Sequence, residues 1–105
     1  MYIIIWEYQV KQEKQSEFEK IYSPNGAWAE LFKKEAGYLG TDLLRDANQP
    51  QRYLTIDRWN SKEEYENFLM RRDKEYKTLD AQCEDLTEHE ALLGKMEFCI
   101  ARRNT

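Results

Sequence analysis

Apolar and polar positions along residues 2–10 place Tyr2, Ile4, Trp6, Tyr8 and Val10 on one face of a strand and Ile3, Ile5, Glu7 and Gln9 on the other. Both faces begin apolar, so the first half of this strand is expected to be covered on both sides. From Lys11 the period lengthens: Phe18, Ile21 and Tyr22, then Trp28, Leu31 and Phe32, form one helical stripe. Pro24-Asn25-Gly26 interrupts it, and two helical pieces are expected. Gly37 is read as the left-handed closing residue, behind Lys33 and Lys34 at the negative end of the helix dipole.

Tyr38 to Asp46 and Tyr53 to Trp59 read as two strands of a hairpin joined by the polar Ala47-Asn48-Gln49-Pro50. Ser61 and Glu64 then form a capping box, the serine oxygen taking an orphan N–H of a new helix. That helix carries Tyr65, Phe68, Leu69, Tyr76 and Leu79 on one stripe, with Arg72 among them, either snorkelling outward or pointing into a cleft. Trp59, between a strand end and a helix start, is placed to line a cleft whose mouth it shares with Tyr65. Residues 80–93 show no sustained period, although Thr87-Glu88-His89-Glu90 repeats the capping-box pattern and could start a short helix ended by Gly94. Lys95 to Ala101 alternate as a last strand, and Arg102 to Thr105 should fray.

The order β-α-β-β-α-β is the split βαβ pattern of an α+β, ferredoxin-like fold: a four-stranded antiparallel sheet with both helices on one face. The other face is left bare, so a homodimer through the helix-free sheet face is expected.

Composition narrows function chiefly by exclusion. At 105 residues the chain has the size of one domain, read here as spanning 1–105. With 16 basic and 20 acidic residues, net −4, it offers no reason to bind nucleic acid. Cys83 and Cys99, 16 positions apart with a single His in the chain, suggest neither zinc nor a disulfide scaffold and fit a cytoplasmic location. The N-terminus turns polar at Glu7, far short of a membrane span of about 20 apolar residues. No Ser-His-Asp order, phosphate loop or HExxH occurs. His89, the lone imidazole, is a candidate base, and the setting between Glu88 and Glu90 equally describes an exposed turn.

The segments YIIIWEYQV, EFEKIY, GAWAELFKK, GYLGTDLLRD, RYLTIDRWNSKEEYENF and LTEHEALLG, above all Trp59 followed by Ser61-Lys62-Glu63-Glu64, resemble the antibiotic-biosynthesis-monooxygenase-like superfamily of dimeric α/β-barrel proteins. The resemblance covers nearly the whole chain and implies a cofactor-independent monooxygenase acting on a small aromatic or quinol-type ligand, with no metal or bound cofactor. In that chemistry the protein supplies an aromatic pocket, a proton acceptor and groups that orient the ring. The 14 aromatic residues, among them Trp6, Trp28, Trp59, Tyr53 and Tyr65, could furnish the pocket. The site expected on this basis has His89 and Tyr65 as catalytic groups and Trp59, Tyr65, Thr55, Phe68 and Arg72 against the substrate, with Glu7 and Asp57 as further candidates for the base. Two departures matter. Haem-degrading relatives place a His ten residues beyond the tryptophan, where this chain has Leu69, and quinone-forming ones an Asn four residues before it, where this chain has Thr55. The alternative is a dimeric binder of small molecules with no turnover.

Overall fold

A computed structural model describes residues 1–99. The first strand, β1 (Tyr2–Val10), leads through a short 3-10 turn into α1 (Gln15–Tyr22) and α2 (Ala27–Phe32). The break between these two helices falls at Pro24-Asn25-Gly26, as the sequence predicts. Gly26 is required there, because a Cβ would overlap the carbonyls of Lys20 and Ile21. The hairpin follows as β2 (Tyr38–Arg45) and β3 (Arg52–Trp59). Asp46 holds its turn by accepting the N–H groups of Asn48 at 2.8 Å and Gln49 at 3.1 Å.

Ser61 caps α3 (Lys62–Arg71), its Oγ accepting the Glu64 N–H at 3.1 Å. Ser61→Ala should therefore cost about 1 kcal/mol of stability, read by urea unfolding, with unchanged pocket binding. A single helix was expected here. Instead the chain turns at Arg72 (φ −113°, ψ 24°) into α4 (Asp73–Cys83). Arg72 neither snorkels freely nor enters a cleft: its Nε donates to Glu35 at 3.0 Å and its Nη1 to Glu75 at 3.3 Å. Glu35, 8% exposed, also accepts from Arg71 at 2.9 Å, and the two guanidinium groups hold its carboxyl below the usual range.

The last strand, β4 (Thr87–Glu97), replaces the short helix expected from Thr87 and begins well before Lys95. Two extra residues disguise its period. The register against β1 shifts between Ile5 and Trp6 and again between Gln9 and Val10, leaving Leu93 and Glu88 as bulges. Ile100 and Ala101, expected in this strand, and the fraying expected of Arg102 to Thr105 lie outside the described residues.

The sheet order β2-β3-β1-β4, antiparallel throughout, is the α+β ferredoxin-like arrangement. Tyr2, Ile4, Tyr8, Val10, Tyr53 and Trp59 face the helices and form the core with Phe18, Phe32, Phe68 and Leu86. The opposite face carries half-buried Ile3, Ile5, Leu54 and Ile56 with exposed Leu44 and Met96. Gly37 does not close α2 in the left-handed region. The one glycine with positive φ among the described residues is Gly40 (141°), beside the β2 bulge at Leu39. Gly37 is needed for a different reason, since a Cβ would overlap the Glu64 side chain.

Candidate functional site

The buried face of β3 reads Tyr53, Thr55, Asp57, Trp59, and its two middle members are small. Thr41 of β2 lies opposite Asp57, and Ala29 of α2 sits above. Because these four cannot fill the space under the helices, a cleft opens between sheet and helices. Trp6 and Tyr8 of β1 form part of its floor. Tyr22 of α1 and Trp28 and Phe32 of α2 wall one side, and Tyr76 and Asp80 of α4 with Glu90 of β4 complete the lining.

Inside this aromatic enclosure Asp57 is 8% exposed. Thr41 Oγ1 donates to its Oδ1 at 2.7 Å. With the threonine proton so committed, the Tyr38 hydroxyl donates to Thr41 Oγ1, 2.5 Å away. This relay favours the carboxylate, and the Arg58 charge assists it, but burial is the larger effect: the Asp57 carboxyl is pushed up from 3.8 to about 6. Nearby, the Tyr8 hydroxyl and Thr55 Oγ1 share a 3.0 Å hydrogen bond. Burial drives the Tyr8 phenol well above its ordinary value and that of Tyr76 to about 12, so both stay neutral donors. The arrangement supplies a proton acceptor poised near neutrality, next to hydroxyl groups and ring faces.

The structure distributes the sequence-predicted residues unevenly. Thr55 lines the cleft, and of the three candidate bases only Asp57 does. Trp59 is fully buried, not a cleft wall: Phe32, Tyr38, Tyr65 and Phe68 surround it with ring centroids 5.2–5.7 Å away. The capped start of α3 brings Tyr65 and Phe68 onto the indole, so sheet and helix close over the ring that was expected to line a cleft. Phe68 is likewise fully buried. Tyr65, 9% exposed, packs on Tyr2 and Trp59, and burial raises its phenol far above the ordinary value, a poor state for proton transfer. Tyr53, also offered as a pocket ring, is buried and bonded to Glu19 and Gln15. Arg72, at the C-terminal end of α3, is committed to Glu35 and Glu75. His89 stands on the opposite face of the sheet, paired with Gln9 and beside Glu7 and Arg52. Glu7 itself is taken by Arg52 at 2.6 Å.

Thr41, Tyr8, Tyr22, Tyr76, Asp80 and Glu90 escaped the sequence reading. One signal was available: a Thr and an Asp at alternate positions between Tyr53 and Trp59 put polar groups on a face otherwise made of rings. Among the described residues no three His, Cys, Asp or Glu side chains come together as a metal site, and no helix is long and apolar enough to cross a membrane.

A family model described as antibiotic biosynthesis monooxygenase matches residues 1–76. Among solved structures, a mutant of SnoaB, a cofactor-independent oxygenase from Streptomyces nogalater, superposes with a TM-score of 0.77 at 16% identity, covering 98% of this chain and 94% of that one. A protein from Deinococcus radiodurans, provisionally named an antibiotic biosynthesis monooxygenase, gives 0.76 at 17% identity over 100% and 99% of the two chains. A conserved protein from Methanosarcina mazei gives 0.68 at 14%, over 90% and 89%. At such identities the likeness is one of fold. No curated protein matches the chain significantly.

Proposed function

Because the chain belongs to the antibiotic biosynthesis monooxygenase family, we propose that it is a cofactor-independent monooxygenase that oxidises a small phenol or quinol in the cleft above Thr55 and Asp57. The observation that carries this reading is the buried Asp57 carboxylate in an aromatic enclosure, with its pKa brought to about 6. A group of that pKa is ionised at neutral pH and still basic enough to accept a proton that a phenol releases as it reacts.

The chemistry then needs only the substrate and oxygen. Asp57 takes the phenolic proton, and the phenolate passes one electron to O2. In a phenol whose para carbon carries hydrogen, the resulting radical pair joins at that carbon. Loss of that carbon's hydrogen and cleavage of the O–O bond give a quinone and hydroxide, which takes the proton back from Asp57 as water. One phenol and one O2 thus yield one quinone and one H2O, all four electrons coming from the ring. Tyr8 and Thr55 orient the ring oxygen, and the aromatic walls exclude bulk water from the radical pair.

Purified protein should consume one O2 per quinone formed when offered a panel of phenols, hydroquinones and anthrones in an oxygen electrode. Quenching of indole fluorescence by the panel with no oxygen uptake would overturn the enzyme reading and leave a binder.

The same reading joins two chains through the helix-free sheet face. Ile3, Ile5, Leu54 and Ile56, with Leu44 and Met96, otherwise meet water at about 1.5–3 kcal/mol per fully exposed large side chain. Light scattering at micromolar concentration should give twice the single-chain 12.7 kDa. A mass near 12.7 kDa would remove the dimer.

A further inference from the structure

The cleft has an uneven charge. Three carboxylates line it, Asp57 at the floor and Asp80 and Glu90 further round the lining, and no Lys, Arg or His does. Asp80 and Glu90 are exposed, whereas Asp57 is enclosed. Glu90 feels Asp80, and the Tyr76 phenol feels all three carboxylates. Glu90 is raised by burial first and then by Asp80 and Glu84, with His89 opposing, and the Tyr76 phenol is raised by burial and then by Asp80, Glu90 and Asp57. The aromatic rings of Tyr8, Trp28 and Tyr76 share the lining with them. Negative groups around aromatic faces describe a site for an organic cation, attracted both by the carboxylates and by the ring quadrupoles. A metal ion does not fit the same description, since the carboxylates do not converge on one point.

We propose that the cleft selects an aromatic substrate bearing an aliphatic ammonium group, the ring lying over Thr55 and Asp57 and the ammonium reaching Asp80 and Glu90, and that it rejects anionic arenes. The inference rests on the cleft being the substrate site, and it names the substrate class for that site. An anionic arene would have to enter past two carboxylates towards a third, with no cation in the lining to offset the repulsion. A protonated amine loses water on entry and regains carboxylate and ring-face contacts in exchange.

The test uses three phenols of nearly equal size that differ in charge: tyramine, tyrosol and 3-(4-hydroxyphenyl)propionate. Their para carbon is blocked, so binding is read without turnover, by indole fluorescence and calorimetry at low salt. Tyramine is expected to bind about 10-fold more tightly than tyrosol, and the propionate more weakly than either. In Asp80→Asn/Glu90→Gln, whose changed side chains are exposed, the tyramine advantage should shrink to about 2-fold while tyrosol affinity holds. Equal binding of the three phenols, binding of none, or an advantage that survives the double substitution would overturn the proposal. The two readings fail separately. Charge selectivity without oxygen uptake on any panel substrate removes the monooxygenase and leaves the cation site. Oxygen uptake on neutral phenols without charge selectivity does the reverse.

Discussion

Asp57→Asn is expected to cut turnover sharply and stabilise the fold. In the folded chain the carboxyl is pushed from 3.8 to about 6, so between those values the native state binds more protons than the unfolded one. Stability contributed by this residue is therefore greatest below about pH 4 and falls as pH rises through 6, above which the loss is constant. About two units of displacement correspond to roughly 3 kcal/mol, an upper bound because the enclosure relaxes on ionisation. An amide of the same shape keeps the Thr41 hydrogen bond and carries no charge to bury. Urea unfolding of both proteins across pH 4–8 should show the variant gaining on the wild type as pH rises, with the effects of all other carboxylates cancelling in the difference. Over the same range wild-type kcat/KM should rise through about pH 6 as the base ionises, and the variant should lose about 10²–10⁴-fold. A variant that turns over normally would remove Asp57 from the chemistry. A stability difference flat in pH would mean that the carboxyl is not strained by burial.

The second large effect belongs to Trp59. With no exposed surface and four rings around it, Trp59→Ala should cost about 3–5 kcal/mol through lost burial and the cavity left behind. That is a large share of the roughly 5–15 kcal/mol that holds a typical domain together. Trp59→Phe separates packing from binding, since it keeps an aromatic ring in place. The indole Nε1 is buried without an acceptor, so phenylalanine loses volume and also removes an unsatisfied donor. A modest net loss of about 1–2 kcal/mol follows, with phenol affinity in the cleft unchanged. A fall in affinity with no change in unfolding would return Trp59 to the cleft wall.

The sequence carried the fold more openly than the site. Alternation in β1 and β3, the turn residues of the hairpin and the Ser61 cap are local signals, and each is realised where it was expected. The signals that failed depend on contacts distant in sequence or on irregular spacing. Arg72 sits on an apolar stripe, and nothing near it announces Glu35, 37 positions away, which takes its guanidinium as the helix breaks. In β4 the extra residues Glu88 and Leu93 destroy the two-residue period, and the strand looked like a short helix ended by Gly94 with a strand beginning only at Lys95. The resemblance pointed correctly to the family and drew attention to Trp59 and its helix, the most recognisable stretch. Recognisability there reflects packing. The cleft opens two residues earlier along the same strand, where small polar side chains interrupt the rings, and small residues give weak periodic signals.

The bulges have a further bearing on how copies of this chain meet. All three extra residues, Leu39, Glu88 and Leu93, lie on β2 and β4, the two outermost strands. A strand at the rim of a sheet carries unpaired N–H and C=O groups that invite an identical strand to add on, copy after copy, into a fibre. An inserted residue twists the rim and puts consecutive donors out of step, so no long straight ladder is offered on either side. Growth by strand addition is frustrated at both margins, which leaves the flat of the sheet for the dimer proposed above.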